Sequence, residues 1–240
     1  MLAFVSLASV NACHPSHPEQ LVTYAPMDQA AEIRTLARRS SLVKTVSGSG
    51  TLELTQPNGD SVVLDVAVVL RMPNHARLRA WKMGQAVFDL TVTPEGVWLE
   101  TSQQGARKTQ VTSAGDNAAR VTRGLSLLTG GFFDDPGLTG VDRRNQLILT
   151  LAKPGEPIIT CWVDRDTLTP RIFRMVDANG VERFTLSLGE YANSSGLLWP
   201  RKVTAVSPLG KIVVSLDDVE INGEIPASAF TPPARAEKLR

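Results

Sequence analysis

The chain has 240 residues, 42% of them hydrophobic and 20% charged, a balance that suits folded globular protein and excludes wholesale disorder or a low-complexity filament. Its 25 basic and 24 acidic residues leave a net charge of +1, so no overall field draws in nucleic acid or anionic substrates. With three histidines and two cysteines, a zinc site of those residue types would use nearly all of them, and neither metal nor cofactor is expected.

Met1 to Ala12 reads MLAFVSLASVNA, uncharged and ending in small residues. A membrane-spanning helix needs about 20 apolar residues. A shorter apolar run ending in small residues is the pattern of a cleaved export signal, expected here over residues 1–12. The segment Val10-Asn11-Ala12-Cys13 resembles a bacterial lipobox, which makes Cys13 the expected lipidation site, carrying acyl groups such as palmitate. Asn11 is unusual inside such a box, and no basic residue precedes the apolar run, so a start upstream of Met1 stays open. Export also permits a disulfide from Cys13 to Cys161, the other cysteine. Acylation of Cys13 would exclude that bond and leave Cys161, inside the strand-like IITCWV, as a packed free thiol.

Residues 13–27 carry Pro15, Pro18 and Pro26 without hydrophobic periodicity and read as a tether, after which one domain is expected over 28–240. Asp28 has the chemistry of a helix N-cap, and Ala30, Ile33, Leu36 and Ala37 recur at helical spacing up to Arg38-Arg39. The period then changes to two. TLELTQ, SVVLDVAVVL, RLRAWKM, AVFDLTV and GVWLETS alternate in polarity between turn signals at Pro57-Asn58-Gly59-Asp60, Pro73-Asn74, Met83-Gly84 and Pro94-Glu95-Gly96. A further strand is expected at Gln104 to Gln110, and a second helix from Asp116 to Leu128 through Val121, Leu125 and Leu128. Beyond Gly130-Gly131 and the acidic turn at Asp134-Asp135-Pro136-Gly137, strands resume as QLILTL, PIITCWVD, RIFRMVD, RFTLSLGEY, PRKVTAV and KIVVSLDDVEI.

About eleven strands and two helices, with no composition break between them, predict a mainly β fold in one domain. Val66, Val68 and Leu70 oppose Asp65 and Arg71; Phe88 and Leu90 flank Asp89; Phe184, Leu186 and Leu188 alternate with Arg183, Thr185 and Ser187. One face is therefore dry. Two helices cover such a face only if a single antiparallel sheet curls around them as an open half-barrel, which leaves an apolar cavity on the concave side. A packed β-sandwich would show the same periodicity, and the alternation leaves both architectures open. In the curled sheet, Val66, Val68, Leu70, Phe88, Leu90, Leu149, Phe184, Leu186 and Leu188 line the cavity and are the candidate lipid contacts.

Three elements carry a family resemblance: LRMPNHARLRAW from Leu70 to Trp81, the D-x-x-T-x-x-P element at Asp164, Thr167 and Pro170, and the ending Phe230-Thr231-Pro232-Pro233. In that order, with an opening helix, a mid-chain helix and the lipobox-like leader, the chain resembles the periplasmic lipoprotein carriers and receptors LolA and LolB. The resemblance implies an open half-barrel of about eleven strands whose helices close a cavity for acyl chains. The lipobox favours an anchored receptor at the periplasmic face of the outer membrane, a monomer served by a soluble lipoprotein carrier. In such receptors an exposed apolar residue at a hairpin tip takes part in lipid delivery, and the matching position is Met83. In the carriers a basic residue just precedes the Pro-Asn pair; here Met72 stands there, with Arg71 one position earlier.

Withdrawing one acyl chain of about sixteen carbons from a bilayer requires apolar burial of about 12 kcal/mol in exchange. Transfer of that kind follows affinity differences and needs no nucleotide, in keeping with the lack of a phosphate-binding loop motif. No enzyme is expected. His14 and His17 lie in the tether, His75 lies beside a turn, and Gly124-Leu125-Ser126-Leu127-Leu128, the nearest case to a nucleophile elbow, lacks the second glycine and sits on a predicted helix. Asp134-Asp135, Asp164 with Asp166, and Asp217-Asp218 occupy turns or strand ends, where solvated aspartates are common. The expected function is binding of lipid or lipoprotein acyl chains; the alternative is a lipid-anchored envelope scaffold or sensor using the same fold for protein contacts, with a collapsed cavity.

Overall fold

The computed structural model describes residues 25–102, 117–143 and 145–239. The leader, Cys13, the tether through residue 24 and the strand expected at Gln104 to Gln110 lie outside the described residues.

Helix α1 (Gln29–Leu42) opens the fold, with the Asp28 carboxylate accepting from Ala31 N–H at 3.1 Å. Strands β1 (Thr45–Thr55), β2 (Ser61–Arg71), β3 (His75–Lys82), β4 (Gln85–Thr93) and β5 (Gly96–Thr101) follow as a meander. Helix α2 (Asn117–Leu128) and a 3₁₀ turn at Gly131–Asp134 come next. The chain continues through β6 (Thr139–Arg143), β7 (Gln146–Leu151), β8 (Ile158–Asp164), β9 (Thr169–Val176), β10 (Glu182–Ser194), β11 (Leu197–Ser207) and β12 (Gly210–Ile221), and ends at β13 (Glu237–Lys238).

All strands join one antiparallel sheet in the order β13-β5-β4-β3-β2-β1-β12-β11-β10-β9-β8-β7-β6, curled but not closed into a barrel. The sandwich alternative is thereby removed. The sheet has 13 strands where about eleven were expected. Strands β6 and β13 supply the difference. In β6 the inward positions are Gly140 and Asp142, opposite Leu149 and Leu147, so no apolar alternation marks it. Strand β13 is a two-residue pairing with β5 and has no period to detect.

Strands β1 and β12 approach closely. A bulge lies at Ser49/Gly50, and a Cβ on Gly50 would stand 2.0 Å from the Ser215 carbonyl oxygen. On Gly48 it would stand 2.5 Å from that of Asp218. Only bare backbone allows this approach.

Antiparallel order sends successive turns to opposite ends. The β1–β2, β3–β4, β7–β8, β9–β10 and β11–β12 turns form an upper rim; the β2–β3, β4–β5, β6–β7, β8–β9 and β10–β11 turns form a lower one. The segment after β12 crosses the outer face. Arg71 donates to the Ile225 carbonyl and Arg77 to that of Ala229 at 3.1 Å, while Phe230 sits 5.1 Å from the Arg71 guanidinium and edge-on to His75. Arg77 also grips Asp89 through two bonds of 2.8 Å, which hold its guanidinium above the ordinary arginine range. The Phe-Thr-Pro-Pro ending thus fastens the tail across β2, β3 and β4.

Candidate functional site

The inner face is one continuous apolar surface built by strand register. On one half, Leu70 faces Ala76, Val68 faces Leu78 and Val66 faces Ala80, which in turn lie opposite Val92, Leu90 and Phe88. On the other half, Leu149, Cys161, Phe173 and Leu186 stand side by side across four strands, with Leu188 opposite Val203 and Phe184 opposite Met175. All the residues singled out as cavity lining therefore sit on this face. The helices treat its parts differently.

Over β7 to β10 the face is sealed. Leu36 of α1, Leu127 of α2 and Phe132 and Phe133 of the 3₁₀ turn pack on Leu147, Leu149, Cys161, Val163, Phe173, Leu186 and Leu188. Phe132 meets Phe173 edge-on at 5.4 Å, and Phe133 lies 6.2 Å from the same ring. Neither Phe132 nor Phe133 was marked by sequence pattern, because a pair of aromatics between glycines and an acidic turn has no period. Burial pushes the Cys161 thiol well above the ordinary range, and it is free, as a packed thiol rather than a disulfide partner.

The space left beneath α1 is small. A cavity of about 100 Å³ is lined by Leu36, Val43, Leu127, Phe133, Leu188 and Trp199, among others. Ligand pockets usually measure about 300–1,000 Å³. Of the expected lining residues only Leu188 borders this cavity. Tyr191 also lines it; its hydroxyl donates to the Pro170 carbonyl, and burial pushes the phenol up.

The Asp-x-x-Thr-x-x-Pro element closes the lower rim beside this cavity. Asp164 accepts from Thr167 N–H at 2.9 Å, Asp166 N–H at 3.1 Å and the Thr167 hydroxyl at 2.8 Å, which together hold its carboxyl below the usual range. Arg39 of α1 donates to the Thr167 carbonyl at 2.9 Å, so the turn also ties down the end of the helix.

Over the lower half of β1 to β5, α2 supplies the cover. Ala118, Val121, Leu125 and Leu128 pack on Val46, Leu70, Val92 and Val97, with Val68 and Leu90 at the margin. Above them lies a third cluster, Leu52, Leu64, Val66 and Ala80, with Leu54, Val62, Leu78, Phe88 and Val214 half-buried around it. Its members come from β1, β2, β3, β4 and β12 alone, and among the described residues no helix side chain joins it. Leu52, Leu64 and Ala80 share the inward parity of Val66 and Val68, the signal by which they could have been found.

This cluster lies in the upper half of the sheet, toward the rim where Met83 and Gly84 join β3 to β4 between the paired Lys82 and Gln85. Both turn residues have positive φ, 51° and 77°, the geometry of a tight hairpin that favours Asn, Asp or Gly. Met83 is 91% exposed there. Neither backbone preference nor hydration accounts for a methionine at that position.

The polar features do not converge. A groove of about 350 Å³ on the outer face is lined by Arg71, His75, Thr93, Glu95, Trp98 and Phe230 and belongs to the C-terminal crossing. Asp135 pairs with Lys153, Asp164 caps its turn, and Asp217 and Asp218 are exposed on β12. Among the described residues no three His, Cys, Asp or Glu side chains stand close enough to hold a metal ion.

A curled antiparallel sheet with helices over its concave apolar side is an open half-barrel. No family model and no curated protein matches the sequence. Solved structures do match in shape. A DUF1329 family protein from Desulfovibrio piger aligns over 85% of this chain and 98% of its own, at TM-score 0.61 and 11% identity. A putative outer membrane lipoprotein-sorting protein domain from Vibrio parahaemolyticus aligns over 85% and 97%, at TM-score 0.57 and 10% identity. A LolA superfamily protein from Nitrosomonas europaea aligns over 83% and 97%, at TM-score 0.54 and 9% identity. The fold is LolA/LolB-like; identities this low carry the fold and nothing finer. None of the three is described as an enzyme.

Proposed function

We propose that this protein binds the acyl chains of lipoproteins or other lipids on the inner face of its sheet and serves their transport or membrane insertion. The observation that carries the proposal is the apolar inner face of the curled sheet, where Leu52, Leu64, Val66 and Ala80, rimmed by the half-buried Phe88, form a buried cluster that no helix side chain joins among the described residues. Val66, Val68 and Phe88 take the first part of the chain, and Leu70 and Leu90 extend it when α2 shifts away from them. Leu149, Phe184, Leu186 and Leu188 accept the rest when α1 and the Phe132–Phe133 turn move outward. Burial of about sixteen methylenes supplies about 12 kcal/mol, and no catalyst is needed.

The fold's neighbours include a putative lipoprotein-sorting domain and a LolA superfamily protein, which supports a place in the cell envelope. In this proposal residues 1–12 are cleaved, Cys13 carries the lipid anchor, residues 13–27 form the tether, and residues 28–240 work as a monomer at the periplasmic side of the outer membrane. A soluble lipoprotein carrier is the proposed donor, and Met83 is the contact through which lipid leaves. One observation favours the second function, a scaffold or sensor with a collapsed interior: the cavity beneath α1 measures about 100 Å³.

Mass spectrometry of organic extracts from the purified protein separates the two. Lipid binding predicts an acyl lipid that copurifies with the parent and is lost from Phe88→Glu. The scaffold predicts that neither protein carries lipid, and that result would remove the acyl-binding proposal.

A further inference from the structure

The large apolar side chains that remain exposed are not spread evenly. Met83, Leu209, Val206, Ile212 and Val63 all lie at or next to the β3–β4, β11–β12 and β1–β2 turns of the upper rim. Leu209 is 58% exposed, in the turn between Ser207 and Gly210. Val63 and Val206 alternate with the inward Leu64 and Ala205 and therefore occupy the outer face, where a half-barrel ordinarily shows polar side chains. Near this rim, apolar residues thus stand on both faces of the sheet as well as at the tips.

Charge accompanies them. Lys82 precedes Met83, and Lys211 lies two positions beyond Leu209; both lysines are exposed. The intervening β1–β2 turn contributes Asp60, which accepts from the Asn58 side chain at 2.8 Å. Across these three adjacent turns two cations stand against one anion, a local balance that favours a negatively charged surface. The Leu52–Ala80 cluster lies just inside the same rim, so an acyl chain entering or leaving there would stay close to apolar side chains.

We infer that the upper rim docks on an anionic lipid bilayer through two tips, Met83 with Lys82 and Leu209 with Lys211. The β11–β12 turn is then a second foot that fixes how the mouth of the inner face meets the membrane; one tip alone would leave the domain free to roll. The anchor does not impose this contact. Ala25 accepts from Arg165 at the β8–β9 turn of the lower rim, so the chain enters the domain from the opposite end.

This inference rests on the acyl-binding function for its purpose, and its test is independent of that function. The full chain carrying Cys13→Ser is sedimented with phosphatidylcholine vesicles, with and without phosphatidylglycerol. The parent should bind the anionic vesicles more tightly. Leu209→Asp should weaken that binding about tenfold, as expected for one apolar side chain withdrawn from lipid. Lys82→Gln with Lys211→Gln should remove the preference for phosphatidylglycerol. Ile172→Asp, on the outer face away from the rim, should change nothing. Undiminished binding by Leu209→Asp, or an equal loss in Ile172→Asp, would overturn the second foot. Binding of a fluorescent fatty acid without vesicles should be the same in Leu209→Asp and its parent. If neither takes up the fatty acid, the acyl-binding function fails while the vesicle result still decides the rim.

Discussion

On the β7 to β10 side, side chains from α1, α2 and the 3₁₀ turn interdigitate with the sheet and leave a cavity of about 100 Å³. On the β1 to β4 side, the same kind of inward alternation produces Leu52, Leu64, Val66 and Ala80 with no helical partner among the described residues. Strand chemistry is alike on both sides. What differs is the cover: the sealed side is packed by helix side chains and should respond to mutation as a core, whereas on the other side Leu52, Leu64, Val66 and Ala80 are buried in a cluster that no helix side chain joins among the described residues.

The sharpest way to break that comparison is to truncate one aromatic on each side. Phe173 is fully buried between Phe132 and Phe133, so Phe173→Ala should cost about 3–5 kcal/mol in denaturant unfolding. Phe88 is half-buried, and Phe88→Ala should cost about 1–2 kcal/mol. Equal losses would mean that both sides are ordinary core. The functional counterpart runs the other way: Phe88→Glu should lower affinity for a fluorescent fatty acid at least about tenfold with a modest fall in Tm, because a carboxylate resists desolvation by an acyl chain.

A smaller effect is expected at the upper rim. Met83→Glu should leave the thermal midpoint unchanged, since the side chain is 91% exposed, and should slow transfer of a lipidated substrate to vesicles several-fold. Transfer at the parental rate would take Met83 out of the delivery step.

The smallest concerns the lower rim on the sealed side. Thr167 N–H and the other donors hold the Asp164 carboxyl below its unfolded value of about 3.9. Its stabilisation is fully present above that unfolded value and is lost as pH falls through the lower folded one. Asp164→Asn should therefore be less stable than the parent at neutral pH, with the gap closing in acid unfolding titrations below about pH 4. A constant gap across the titration would show that the carboxylate's charge is not what holds the turn.

Much of this architecture was legible in the sequence. Two-residue alternation set the strands, and for β7 even the bounds, because QLILTL is buried on one side and flanked by turn residues. The N-cap at Asp28 fixed the start of α1. Strand β6 was not legible, since glycine and aspartate occupy its inward positions, and neither was the Phe132–Phe133 plug. Parity marked Val66, Val68 and Phe88 as inward-facing, yet no local pattern distinguishes an inward residue beneath a helix from one without cover. That distinction depends on where α2 comes to rest, and α2 reaches Val46, Leu70 and Val97 from far along the chain.

The proposed function places an acyl chain first on the part of the inner face around Val66, Ala80 and Phe88, whose cluster no helix side chain joins among the described residues. Nitroxide-labelled stearic acid titrated into the isotopically labelled protein tests it by paramagnetic broadening of amide signals. The amides of Val66, Ala80 and Phe88 should broaden first, with those of Leu149 and Phe173 following only at higher occupancy. Broadening that begins at Leu149 and Phe173, or that spares the inner face altogether, would contradict the account.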